Sequence, residues 1–289
     1  MRRHSISYHF IAITTIVVFL FSSCVPGTYL HKLPSNYFQY QNNSKTAISA
    51  HRGGGDYKGY PENCIESFAW LAKQMPVIVE CDVRMTKDSM LVMMHDDSYN
   101  RTSTGYGKIS DSTFAYSQTV FLKDNLGALT KYKVPSLDQV LKWGKDKVAY
   151  TLDIKRGVPF EKVITLIQQH KAENFAAVIT YTADDAAKVH QLDNEVMISV
   201  TIRNQEEYNR HIDLGIPDNR MVAFVGTREP DSGFLQFLHN KGIRCILGTL
   251  GNLDKMAASR SDSLYKKWSN LGADIMSTDR PLEAWKVIK

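Results

Sequence analysis

No apolar run in this sequence is long enough to cross a membrane as a helix. The run from Phe10 to Phe21 stops at twelve residues, where a hydrocarbon core needs about 20. There is no long basic run and no stripe of interleaved aromatic and basic residues, which argues against a nucleic-acid partner. Cysteine is sparse. Cys24 aside, only Cys64, Cys81 and Cys245 remain, an odd and widely spaced set. It offers neither a disulfide framework nor zinc-ligand spacing, so the three are expected as small buried apolar residues. No internal repeat and no low-complexity tract is present, which excludes solenoids and arrays.

What is there begins with a leader. Arg2 and Arg3 precede the Phe10–Phe21 run, and Phe21-Ser22-Ser23-Cys24 follows it. A basic start, a short apolar stretch, small residues and then cysteine resemble a bacterial lipoprotein signal. The resemblance implies that residues 1–23 are removed and that Cys24 carries a lipid, making the protein an exported, membrane-anchored one, periplasmic or at the cell surface. Residues 24–45, with Pro26, Gly27, Pro34 and Gln/Asn clusters, read as a tether. The formal charge of +5 includes Arg2 and Arg3. Without the first 23 residues, which hold no acid, the balance falls to +3. The 289 residues, 43% hydrophobic and 22% charged, leave ample chain for one large α/β domain over 46–289.

Across that domain short β-branched runs alternate with amphipathic helical stretches. Strands are expected at 47–51, 77–83, 91–96, 149–155, 176–181, 196–202, 221–226, 243–247 and 275–279. Apolar strands separated by helices indicate a parallel sheet covered by helices. Nine candidates in one alternation suggest a (β/α)8 barrel with one accessory strand, and MVAFVG (221–226) is the expected extra. An open doubly wound sheet is the competing architecture. The link RMTKDSM, between Val83 and Leu91, is too short for a parallel crossover. Either the barrel is distorted there or the two strands form a hairpin. The stretch of about 97–137 reads as an insertion over one barrel face, of a length often found in functional lids.

Barrel active sites gather at the carboxyl ends of the strands. Those ends carry His51-Arg52, Glu80 and Asp82, His95, Asp153 and Lys155, and Thr278-Asp279. Glu80 and Asp82 are two apart in a strand, so both point to one face and Cys81 to the other. Like charges on an interior face are costly unless a cation joins them. With Asp153 they would form an all-oxygen site for calcium or magnesium; the alternative is pairing with a base such as Lys155. His170, His190, His211 and His239 fall in helical patterns and are expected on exposed faces. His51 and His95 end apolar strands, and two histidines flanking a reacting phosphorus would supply an acid and a base. Arg52 and Lys155 suit a phosphodiester. The glycine triplet 53–55 lets backbone approach an anion, and Asn63 is a candidate N-cap for the first helix.

The pieces HRGGG…PENCIESF, VIVECDVRMTKDSMLVMMHDDSYNRTSTGYGKI, VPSLDQVL, YTLDIK and GADIMSTDRP resemble the glycerophosphodiester phosphodiesterase family. They run from residue 51 to 281. The resemblance implies a distorted (β/α)8 barrel lacking a helix between strands 2 and 3. It implies His51 and His95 as the acid/base pair, and Glu80, Asp82 and Asp153 as ligands of calcium or magnesium. Arg52 and Lys155 would hold the phosphate. The implied reaction is hydrolysis of glycerophosphodiesters to glycerol 3-phosphate and an alcohol. Lysophospholipids or envelope polymers are alternative substrates, and a non-catalytic binding lipoprotein is the remaining alternative. The family commonly has glutamate where this chain has Asp153. It also has a tryptophan within the stretch CILGTLGN (245–252), which would form an aromatic wall on the glycerol side. Cys64 replaces a usual threonine.

Overall fold

The computed structural model describes residues 37–42, 44–54 and 56–289. The signal reading of residues 1–23 and the Cys24 anchor lie outside the described residues, as does most of the 24–45 tether.

Eight parallel strands close into a barrel: β1 (Ala47–Ala50), β2 (Ile78–Met85), β4 (Ala149–Ile154), β5 (Ala176–Ile179), β6 (Met197–Thr201), β7 (Met221–Phe224), β8 (Arg244–Gly248) and β9 (Ile275–Thr278). Closure follows from β1, which pairs with both β2 and β9. The open sheet is thereby excluded. The accessory strand is β3 (Leu91–Met93), antiparallel to β2 outside the ring. MVAFVG, expected as the extra strand, instead supplies barrel strand β7, paired in parallel with β6 and β8. Its single short apolar run gave no way to tell a ring member from a branch. The RMTKDSM link is a hairpin, and a hairpin needs no covering helix.

The helices are α1 (Ile65–Ala72), α2 (Phe114–Ser117), α3 (Leu137–Gly144), α4 (Phe160–His170), α5 (Ala183–Leu192), α6 (Gln205–Asp213), α7 (Ser232–Asn240), α8 (Asn252–Arg260), α9 (Ser263–Asn270) and α10 (Pro281–Ile288). Their apolar faces pack on the outward residues of the strands, among them Val79, Cys81, Leu152, Val178, Val200 and Leu247, in one continuous core. Alternation sends the other set inward. At the amino end of the barrel these are Ile78, Ala149, Ala177, Met197, Val222, Ile246 and Ile275, closed off by Phe38, which is 1% exposed. The span read as a tether therefore contributes, within residues 37–42, a side chain packed into the barrel. Cys64, Cys81 and Cys245 are free and buried, as expected.

Two local readings are corrected. Asn63 does not cap α1; Cys64 stands at the N-cap without a side-chain bond, because the Asn63 amide is used elsewhere. None of the four helical histidines is exposed: His170, His190 and His239 are half-buried, and His211 is buried, its Nδ1 bonded to the Glu207 carbonyl at 2.7 Å. The first member of the glycine triplet also serves packing. Gly53 has φ +67°, and a Cβ there would lie 2.0 Å from Cε1 of Phe68. The inserted segment 97–137 has its own small core, in which Tyr99, Ile109, Val120, Leu122 and Val134 pack on Cys64, Val92 and Met94.

Candidate active site

Strand pleat and register bring the predicted residues to the carboxyl end of the barrel. Glu80 and Asp82 point inward from β2, and the pairing of Asp82 with Asp153 sets the third carboxylate beside them on β4. Oxygens of Glu80, Asp82 and Asp153 lie within 4.8 Å of one another, and all three side chains are buried. Burial, with the Asp82 charge next, pushes the Glu80 carboxyl up to about 8. Lys155, from the end of β4, reaches back to Asp82 at 2.6 Å and to Asp153. One lysine against three carboxylates leaves the cluster short of positive charge. Oδ1 of Asp153 is buried with no hydrogen-bond partner, and an all-oxygen donor set with an orphaned oxygen fits a hard divalent cation. Both readings of the cluster thus meet: Lys155 pairs with two of the acids, and donor capacity remains.

His51 begins a short 3₁₀ turn, His51–Gly53, directly after β1. Its Nδ1 is 2.6 Å from Oδ1 of Asp279, and its Nε2 is 4.0 Å from Glu80. Burial alone would lower the His51 pKa, but the Asp279 hydrogen bond and the Glu80 charge outweigh it, and the net shift is upward. Asp279 is held in turn. Its backbone N–H donates to Asp254 of α8, a buried carboxylate that also accepts from Tyr265 and Thr278. The Arg52 backbone has φ +56° and donates its N–H to Glu80 at 2.7 Å.

The PEN segment supplies the scaffold. Glu62, with its side chain 1% exposed, accepts from Nη1 of Arg52 at 3.1 Å and from Arg101 at 2.6 Å. Asn63 clamps Asp82 from two sides: its amide donates to the carboxylate at 2.7 Å, and its oxygen accepts the Asp82 N–H at 2.8 Å. That clamp is why Asn63 cannot cap α1. His95 follows β3 and donates its Nδ1–H to the ionised Asp96 carboxylate, 2.8 Å away. Arg84 of β2 bonds the His95 carbonyl through Nε and Nη2. Asp96 also takes two bonds from Arg101, and these, with the histidine contact, hold its carboxyl well below the usual range.

The seven residues expected to move protons, hold the ion or hold the phosphate (His51, Arg52, Glu80, Asp82, His95, Asp153 and Lys155) thus sit at one end of the barrel, tied together by shared partners. The Arg52 guanidinium faces Glu62, and Lys155 faces the carboxylates. Sequence reading missed the roles of Asp279, Asp254, Glu62, Arg84 and Arg101. Asp279 stood in the strand-end set, and the TDR triplet after an apolar strand was its only signal. Tyr181 was missed outright; its hydroxyl donates to Asp153 at 2.9 Å. A cavity of about 840 Å³ opens over the cluster. Its floor includes Ser49, Thr151, Ser199 and Ser277, and its wall includes Phe224, Phe234 and Leu250. Phe224 and Phe234 bring aromatic surface from β7 and α7, while Leu250 lies in the stretch where a tryptophan was expected.

A sequence model of the glycerophosphoryl diester phosphodiesterase family matches residues 51–281. Two relatives from Bacillus subtilis, one of them a glycerophosphodiester phosphodiesterase, are 35% and 29% identical over 37% and 50% of this chain. The chain spans about half the length of each, 44% and 55%. A glycerophosphodiester phosphodiesterase of Bacillus altitudinis is 28% identical over 84% of this chain and 98% of its own length. Among solved structures, a glycerophosphoryl diester phosphodiesterase from Parabacteroides distasonis superposes with a TM-score of 0.82 at 34% identity, over 87% of this chain and 88% of that one. A phosphodiesterase from Oleispira antarctica, solved with its product sn-glycerol-3-phosphate, shares the fold at TM-score 0.65 and 19% identity, over 84% of this chain and 97% of its own.

Proposed function

The chain belongs to the glycerophosphoryl diester phosphodiesterase family, and from that premise we propose that it hydrolyses glycerophosphodiesters to glycerol 3-phosphate and an alcohol. The observation that carries the reading is the buried trio Glu80, Asp82 and Asp153 under His51, with its orphaned oxygen. The product bound by the Oleispira antarctica structure supports a glycerophosphate ligand for the same fold.

In this proposal Glu80, Asp82 and Asp153 hold calcium or magnesium. When bound, such a cation supplies charge neutralisation and polarisation at a phosphate oxygen. Arg52 and Lys155 hold the phosphate; each is now turned to a carboxylate, and an arriving anion competes for it. His51 and His95 move the protons. Asp279 on Nδ1 favours the imidazolium of His51 and leaves Nε2 toward the cluster, so His51 is assigned the acid that protonates the leaving alkoxide. His95, oriented by Asp96 and Arg84, is assigned the base that takes a proton from the nucleophile.

A second reading changes the substrate to lysophospholipids or envelope polymers. The cavity favours it, because about 840 Å³ exceeds the needs of a glycerol phosphate and Phe224, Phe234 and Leu250 line its wall. The leader of Arg2, Arg3, the apolar run and Cys24 supports an exported lipoprotein anchored through Cys24, periplasmic or at the cell surface. A non-catalytic binding protein is disfavoured by the presence of all four of His51, His95, Glu80 and Asp82.

The deciding assay follows glycerol 3-phosphate release from glycerophosphocholine and glycerophosphoethanolamine with calcium, with magnesium, and with chelator. Release that requires metal and vanishes in Glu80→Ala supports the proposal. No release with either metal removes it and moves lysophospholipids to the front.

A further inference from the structure

The inserted segment carries a β-hairpin whose outward face has no use in the site just described. Its two arms are joined by one isolated antiparallel bridge, Lys123 with Leu129, and the Leu122 N–H donates to the Tyr132 carbonyl. Alternation along the hairpin sorts the side chains into two faces. Val120, Leu122 and Val134 point inward and belong to the insertion's core. Phe121, Leu129 and Lys131 are exposed on the other side, with Lys123 and Lys133 half-buried beside them and Lys133 donating to the Thr119 carbonyl, and the exposed Leu126 stands at the tip.

That outward face is unusual in composition. Leu126 and Leu129 are 65% and 61% exposed, and Phe121 is 38% exposed. The Lys133 ammonium lies over the Phe121 ring, 3.3 Å from its centre. Among the described residues, Lys123 and Lys131 have no acidic partner within 4.0 Å. The one acid in the turn, Asp124, is buried and spent on the backbone N–H groups of Gly59, Leu126 and Ala128. Those bonds fix the turn in shape, so the leucines are held out rather than left loose. Exposed apolar residues rimmed by lysines on a rigid tip match an anionic lipid surface: the leucines enter the interface and the lysines meet the head groups.

We propose that this hairpin docks the protein on an anionic membrane surface, through Leu126 and Leu129 with Lys123, Lys131 and Lys133. The position of the tip gives docking a consequence. Asn125 donates to Asp56 at 2.9 Å. A small opening of about 230 Å³ lies between the tip and the catalytic loop, bounded by His51, Arg52, Gly54, Asp56, Asn125 and Asp279. A docked tip sets that opening at the lipid surface. Access to lipid-derived phosphodiesters rests on the hydrolase reading; the docking itself does not.

The test is co-sedimentation with vesicles of phosphatidylcholine alone and of phosphatidylcholine with equimolar phosphatidylglycerol. Every described strand, helix and core residue lies at or beyond Tyr37, so the chain from Val25 onward keeps every described element and lacks Cys24. Binding should be roughly a hundredfold tighter to the anionic vesicles, given three lysines at the surface. Leu126→Asp with Leu129→Asp, and separately Lys123→Glu with Lys131→Glu, should each cost about tenfold or more. Thermal unfolding midpoints within error of the parent show that both variants remain folded. Sedimentation equal on both vesicle types, or variants that bind like the parent, overturns the proposal. So does a parent that self-associates without lipid and loses that association in the leucine variant. None of these readouts uses turnover, so failure here and failure of the hydrolase reading are separate results.

Discussion

Replacing Asp279 by asparagine removes the charge that orients His51 while keeping the shape of the side chain. The bond is short, Nδ1 to Oδ1 at 2.6 Å, and is the shorter of the two contacts His51 makes with acids, the other being Glu80 at 4.0 Å. Hydrogen bonds to charged groups contribute about 1.5–3 kcal/mol. The Asp279 side chain is 37% exposed and that of His51 21%, so solvent screening places this one nearer about 1–2 kcal/mol. At about 1.4 kcal/mol per tenfold, kcat should fall roughly 5- to 30-fold, with a smaller change in KM because Asp279 acts through the imidazole. The pH profile carries more information. Burial pulls the His51 pKa down, and Asp279 and Glu80 more than restore it. Without Asp279 the imidazolium loses its proton at lower pH, so if His51 is the acid the alkaline limb of kcat moves to lower pH. Steady-state turnover of glycerophosphocholine from pH 5 to 9 with saturating metal measures both. A kcat within about twofold of the parent and an unmoved profile would refute the orienting role. A shift confined to the acid limb would instead make His51 the base.

Two further substitutions test the scaffold. Gly53→Ala should destabilise by about 3 kcal/mol or more, through a left-handed backbone at φ +67° and a Cβ 2.0 Å from Phe68; a parental urea midpoint would contradict the packing account. His211 is buried, and burial outweighs its bond to Glu207 and holds its pKa below the ordinary value. Its contribution to stability is therefore fully present above the unfolded value of about 6.5 and lost as pH falls through the lower folded value. His211→Asn should flatten that part of the stability profile, and chemical unfolding at stepped pH shows whether it does.

The sequence was informative wherever one local rule sufficed. Two acids separated by one residue in a strand must share a face, so Glu80 and Asp82 could be paired without coordinates. Apolar strands alternating with helical patterns led to a parallel barrel, and His51 and His95 stood out because each ended an apolar run. A seven-residue link cannot hold a crossover, so a hairpin after Val83 was already among the choices. Compositional sparsity in cysteine correctly left Cys64, Cys81 and Cys245 as buried thiols.

Other features depended on partners distant in the chain. Asn63 followed by a helical pattern satisfies the rule for a cap, yet its amide is committed to Asp82, nineteen positions away. MVAFVG and LVMMHD are equally good strands, and ring membership is settled only by which neighbours offer parallel edges. Asp279 meets His51 because β1 and β9 are adjacent, which sets it 2.6 Å from a histidine 228 positions earlier. Phe38 sits among polar residues in sequence and gains its meaning from an open barrel end. Local chemistry along the chain thus determined the residue types of the site and the class of fold. Closure of the ring decided which of them meet, because the strands that close it, β1 and β9, lie at opposite ends of the domain.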